Sequence, residues 1–206
     1  KITKKNTYLL ENENDLHPLT IKNGIPNNPI VFANNDDLLI GDKKLNKFLL
    51  NIGILGRVEH AKGQEDLIFA INSLDDAIRE KIHVYIIGSG SNLKNLIALS
   101  ERLKLTKYIT LTGFVRGDSR LIISKLDIVI VTSRFYEGFG LTIAEAIEAG
   151  KPFITTNVGA LKDFKNKKLG LHIDPGRPDL IASAIENLVS DFKKDISTSN
   201  INIYSS

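Results

Sequence analysis

Glu137 and Glu145, with seven residues between them, flank the glycine-containing stretch Gly138-Phe139-Gly140, and helical spacing begins near Leu141. Carboxylates accept hydrogen bonds from paired hydroxyls, so two such acids suit sugar or ribose rings. The free amides of a helix start over Phe139, Gly140, Leu141 and Thr142 carry partial positive charge and suit an anion such as a diphosphate lying between those rings. The two carboxylates are therefore expected to face one pocket. Taken alone, the same pair also fits an ordinary loop acid and a surface helix acid.

Three other groups hold residue types that could do chemistry. Gly56-Arg57-Val58-Glu59-His60-Ala61-Lys62-Gly63 sets an Arg and a Lys between glycines just before another helix start, which is a natural phosphate cradle. In isolation, solvated loop charges explain Arg57 and Lys62 about equally well. Gly88-Ser89-Gly90-Ser91-Asn92-Leu93 opens like a dinucleotide fingerprint, but Leu93 stands where the third glycine belongs. No acid at the end of the next strand is placed to hold a ribose, so a structural turn fits these glycines better. His17, His60, His83 and His172 share no local spacing that would bind a metal, and structural or solvated roles suit them.

The elements that must position these loops alternate along the chain. Apolar runs at 48–55, 82–87, 109–112, 128–132, 153–155 and 169–173 predict strands, and helical spacing predicts helices over 64–73, 92–103, 119–124, 141–149 and 178–190. Strands of continuous apolar residues, such as Ile128-Val-Ile-Val131, imply burial on both faces. The pattern predicts an α/β fold, a doubly wound, Rossmann-like parallel sheet of about six strands. In such sheets ligands bind beyond the carboxyl ends of the strands, near the reversal of strand order, and the loops described above lie just after strands. Residues 1–47, rich in Asn and turn signals, read as a lead-in with one or two short strands; 48–192 read as the main domain and 193–206 as a tail.

Composition excludes several classes. With 206 residues, 42% hydrophobic and 25% charged, the chain can bury a core and is neither disordered nor fibrous. Its 27 Lys+Arg against 24 Asp+Glu leave a formal charge of +3, interleaved in sign, which gives no footprint for nucleic acid. The absence of Cys removes disulfides, thiolate zinc sites and thiol nucleophiles, and fits a cytoplasmic setting. No apolar run is long enough to span a bilayer. A chain that starts at Lys1 and holds no Met is expected to be a fragment or a processed piece.

The run Glu137-Gly-Phe-Gly-Leu-Thr-Ile-Ala-Glu145, continuing to Pro152, resembles the signature of the retaining glycosyltransferases of family 4, also called glycosyl transferases group 1. Asn23-Gly24-Ile25 is similar to the step by which that family's chain enters its C-terminal domain, and the 56–63 loop is similar to its diphosphate-binding loop. Gly113-Phe114-Val115 resembles the stretch beside the nucleobase. Val158-Gly159-Ala160-Leu161-Lys162-Asp163 resembles a glycine-glycine and acid pattern, with Ala160 in place of the second glycine and Asp163 in place of the glutamate; these changes are expected to touch only the outer edge of the pocket.

The resemblance implies the donor-binding, C-terminal half of a GT-B enzyme. Arg57 and Lys62 would neutralise the diphosphate of a UDP-, GDP- or ADP-sugar without a metal or other cofactor. Glu137 would hold the donor sugar and Glu145 the ribose. Gly56 and the amides of Gly138, Phe139, Gly140, Leu141 and Thr142 would touch phosphate and sugar, and Phe114, Val115 and Arg116 would meet the base. It further implies a hexosyl transfer to a glycan or lipid acceptor held by an N-terminal domain outside this sequence, in cell-envelope or capsular polysaccharide synthesis. That domain leaves room for peripheral association with the inner face of a membrane. The competing expectations are a non-catalytic nucleotide-sugar binding module, a dinucleotide-dependent oxidoreductase and half of a sugar-nucleotide epimerase.

Overall fold

The apolar runs pair side by side and all in one direction. In the computed structural model, which describes residues 39–40, 43–45, 49–165 and 169–197, a short antiparallel hairpin of β1 (Leu39–Ile40) and β2 (Lys43–Lys44) precedes the main sheet. The sheet contains β3 (Leu50–Leu55), β4 (Ile82–Ile87), β5 (Ile109–Gly113), β6 (Ile128–Val131), β7 (Phe153–Thr156) and β8 (Gly170–Ile173). Every pairing is parallel, and the order across the sheet is β5-β4-β3-β6-β7-β8. The chain builds outward from β3 through β4 to β5, then crosses back to place β6 on the other side of β3. Strand order therefore reverses between β3 and β6, where a crevice opens at the carboxyl ends of an open parallel sheet.

Side-chain alternation along the strands explains why both faces are covered. Ile128 and Ile130 of β6 join one core with Ile52, Leu67, Ile71 and Ile185, while Val129 and Val131 join the other with Tyr85, Ile143, Leu161 and Phe164. The first core lies under α1 (Gln64–Ser73), α3 (Leu93–Arg102) and α6 (Pro178–Ser197), and the second under α4 (Ser119–Ser124) and α5 (Leu141–Glu148). Each fully buried isoleucine contributes about 1.5–3 kcal/mol of transfer free energy, so these two cores hold the strand ends in fixed register.

The six strands and five longer helices fall where the hydrophobic pattern predicts them, with ends shifted by one or two residues in most cases. The last helix is longer than its predicted 178–190 span and runs to Ser197. The structure adds a four-residue helix, α2 (Asp76–Arg79), and two 3-10 segments, His60–Lys62 and Gly159–Phe164, which are too short to leave a periodic signal. Asn23-Gly24-Ile25, most of the lead-in and the last nine positions, 198–206, lie outside the described residues. Among the described residues no helix is long and apolar enough to cross a membrane.

Candidate functional site

The basic loop leaves β3 at the switch point and is shaped by its neighbour β4. Gly56 N–H donates to Ile87 O at 3.0 Å and Val58 N–H to Ser89 O at 2.9 Å, while Asn92 N–H donates to Val58 O at 3.0 Å. A Cβ on Gly88 would lie well inside contact distance of Gly56 O, and one on Gly90 would collide with Val58 in the same way. The fingerprint-like turn is thus a backbone buttress for the basic loop, which is the structural role its broken glycine pattern favoured. The loop then closes through the 3-10 turn at His60–Lys62, and Gly63, with φ of 67°, starts α1.

Gln64, the first residue of α1, ties the two ends of this loop together. It is only 3% exposed, its Nε2 donates to Arg57 O at 2.8 Å, and its buried Oε1 has no hydrogen-bond partner. Sequence reasoning gave Gln64 no role, although its place as the first helical residue after a basic loop was visible.

The acid loop leaves β6 beside it. Thr132 Oγ1 donates to Lys62 O at 2.9 Å and Arg134 N–H to Ala61 O at 2.8 Å, which fastens the two loops edge to edge. Across this seam Lys62 Nζ donates to Glu137 Oε2 at 2.6 Å, and Ser133 Oγ donates to the same oxygen at 3.0 Å. Lys62 and Glu137 are 75 residues apart in sequence and their side chains are 24% and 20% exposed, a half-buried ion pair open on one side. Gly140, in the left-handed region at φ of 76°, then starts α5. The first amides of a helix have no acceptor inside it, so Leu141 and Thr142 present N–H groups at the positive end of the helix dipole.

These pieces line one open cleft of about 140 Å³. From the β3 side come Ile54, Leu55, Gly56, Arg57, Lys62 and Gln64, and from the β6 side Val131, Thr132, Ser133, Glu137, Gly140, Leu141 and Thr142. The cations of one loop and the acid and helix start of the other therefore meet at one place. Arg57 is the exposed member: its side chain is 73% exposed and pairs with Glu59 at 2.9 Å.

Several expected residues fall elsewhere. Glu145 does not line this cleft with Glu137. One helical turn beyond Leu141, it sits where α5 packs on α4, is 6% exposed, and accepts a 2.8 Å hydrogen bond from Ser119 Oγ at the start of α4. Burial pushes its carboxyl above the usual glutamate range, partly offset by the Ser119 hydroxyl and by Arg120, while Asp118 and Glu148 push it further up. Nothing local to Ser119 marks it as a partner of Glu145, which lies 26 residues on. Gly138 and Phe139 lie in the acid loop without lining the cleft. Phe114, 72% exposed, and Val115 and Arg116 follow β5, which is two strands from β3 and so about 10 Å away across the sheet. In the Gly159–Phe164 segment, which does not line the cleft, Ala160 N–H donates to Glu137 O at 2.9 Å and so ties the segment to the acid loop. Among the described residues no three His, Asp or Glu side chains are grouped as a metal site.

Comparisons with known proteins agree with this fold. The family model described as glycosyl transferases group 1 matches residues 40–201. An uncharacterized glycosyltransferase of Methanocaldococcus jannaschii is 32% identical over 182 residues, covering 84% of this chain and 45% of its own length. The 2-deoxystreptamine glucosyltransferase of Streptomyces kanamyceticus is 29% identical over 142 residues, or 68% of this chain and 36% of its own. The chain thus spans less than half the length of these relatives. Among solved structures, the C-terminal domain of LpcC, a glycosyl transferase group 1 protein of Francisella tularensis, aligns with a TM-score of 0.58 and 30% identity over 69% of this chain and 76% of that one. Anabaena HepE in complex with UDP-glucose aligns with a TM-score of 0.64 and 26% identity over 71% of this chain and 40% of that one. With a Rossmann-like sheet, a cleft at its switch point and a family match spanning most of its length, the chain belongs to the glycosyl transferases group 1 family.

Proposed function

We propose that this chain is the donor-binding domain of a retaining glycosyltransferase that moves a hexosyl group from a nucleoside diphosphate sugar to a glycan or lipid acceptor. The observation that carries the proposal is the single cleft in which Lys62, Arg57, Glu137 and the start of α5 converge. The diphosphate would lie between the two cations and the amides of Leu141 and Thr142, and Glu137 would take sugar hydroxyls. Breaking the bond between the anomeric carbon and the diphosphate oxygen leaves its electron pair on that oxygen. Fixed donors placed where this charge develops stabilise the transition state more than the ground state. Side chains would do this in place of a metal ion. The base would extend toward Phe114, Val115 and Arg116, and Glu145, braced by Ser119, would reach the ribose from the α4 side. That HepE of similar fold holds UDP-glucose supports a uridine nucleotide as the first donor to try.

The acceptor would be bound by an N-terminal domain facing this cleft, and the transfer would serve cell-envelope or capsular polysaccharide synthesis at the cytoplasmic side of a membrane. A thermal-shift panel of UDP, GDP, ADP and NAD on the 206-residue chain tests the donor assignment. A nucleoside diphosphate at one hundred times its Kd adds about 2.7 kcal/mol, which raises Tm by several degrees in a chain of this size. Stabilisation by NAD alone would support the oxidoreductase alternative instead.

A further inference from the structure

We propose that Arg134 is a positioning residue that sets the Lys62–Glu137 pair by locking the acid loop onto the first turn of α1; this rests on the function proposed above. Arg134 leaves β6 one residue past Ser133, and its side chain turns away from the cleft toward α1. Its Nε donates to Asp66 Oδ2 at 2.9 Å and its Nη2 to Asp66 Oδ1 at 2.6 Å, a two-pronged match of fork to carboxylate. Nη1 reaches Glu65 Oε2 at 3.2 Å and lies against the His60 ring. The side chains of Arg134, Asp66 and Glu65 are 15%, 7% and 23% exposed, so the pair is shielded from solvent.

The placement of this pair gives it leverage. Residues 60–62 are gripped on both sides, by Arg134 N–H on Ala61 O and by Thr132 Oγ1 on Lys62 O. Asp66 and Glu65 follow Lys62 by four and three residues, and Glu137 follows Arg134 by three. One end of the acid loop is therefore pinned to the helix that grows out of the basic loop, and the Lys62–Glu137 contact is the other closure of the same ring. The carboxylates in turn hold the guanidinium firmly protonated, Asp66 most of all. A lysine keeps the charge but cannot make the planar two-pronged contact. Arg134 touches no cleft-lining side chain that would bind ligand, so its effect passes through Lys62 and Glu137.

The test compares the unmodified chain with Arg134→Lys and Asp66→Asn, the second variant covering the case in which the first fails to fold. Two readouts are taken on folded protein: the Lys62 Nζ to Glu137 Oε2 distance in a ligand-free crystal structure, and UDP affinity by calorimetry. Arg134→Lys, with charge preserved, is expected to lengthen the Lys62–Glu137 contact from 2.6 Å by about 1 Å or more, because a lysine cannot make the planar two-pronged contact that pins the acid loop. UDP affinity is expected to fall about ten-fold or more, in keeping with the cost of about 1 Å of misplacement in a preorganised site. A lower Tm with both readouts unchanged would make the Arg134–Asp66 pair a stability element only, and the proposal would be wrong. Failure of the unmodified chain to bind UDP would count against the donor assignment alone, because the ligand-free Lys62–Glu137 distance still decides the role of Arg134.

Discussion

Lys62→Ala is expected to lower kcat by about two to three powers of ten in the enzyme that contains this domain, the usual cost of removing one preorganised donor from a developing negative charge. Lys62 is singled out over Arg57 by its surroundings. Its ammonium is three-quarters shielded, held at 2.6 Å from Glu137, and its backbone is fixed by Thr132, whereas Arg57 is 73% exposed and pairs with a neighbouring acid. Partial burial strengthens the interaction of a charge with a leaving phosphate, and fixed placement means little reorganisation as that charge appears. Alanine also leaves the Glu137 carboxylate with Ser133 as its remaining partner in the cleft, so the acid would drift as well as lose its counter-charge. Steady-state kinetics with a nucleoside diphosphate sugar check this. An unchanged kcat/KM would remove Lys62 from the diphosphate role, and a smaller loss for Arg57→Ala than for Lys62→Ala is the expected ranking.

Gly159→Ala is expected to damage the site from behind without touching a ligand. Gly159 has φ of 50°, and a Cβ there would fall 2.7 Å from Glu137 N and closer still to Glu137 O. The neighbours are backbone atoms that cannot rotate aside, so the acid loop must move. A left-handed conformation for a residue with a side chain costs about 1–3 kcal/mol by itself. In a chain of this size each kcal/mol lowers Tm by about 2–4 °C. The hydrogen bond from Ala160 N–H to Glu137 O at 2.9 Å would be strained by the same shift. Misplacing Glu137 by about 1 Å is expected to cost about a hundred-fold in activity beyond the loss of stability. Kinetics below the lowered Tm, paired with a melting curve, separate the two effects; full activity in a folded Gly159→Ala protein would show that the 159–164 segment does not set the acid loop.

The strands and helices were legible because their signal is long and periodic. Ile128-Val-Ile-Val131 could hardly be other than a strand buried on both faces, and the Arg57 and Glu137 loops could be placed at strand ends from that alone. What escaped was set by contacts between distant segments. The sequence put Glu145 on a helix near the acid loop, but only the packing of α5 on α4 decides that it meets Ser119 outside the cleft lining. Arg134 carries no local sign of its contact, because its partner Asp66 is 68 positions away on α1. Gly159 carried no local sign that its missing Cβ makes room for the Glu137 backbone. Gly88 and Gly90 stand where the backbone passes close to Gly56 and Val58, in keeping with a turn whose third glycine is replaced by Leu93.

The central claim is that a nucleoside diphosphate sits in the cleft between β3 and β6. Backbone amide NMR shifts of the 206-residue chain, followed as UDP is added, test this at single-residue level. Saturable shifts are expected to concentrate at Gly56, Arg57, Lys62, Gln64, Ser133, Leu141 and Thr142 and to be lost in Lys62→Ala. Saturable shifts grouped on another part of the surface, with these seven amides unmoved, would contradict it.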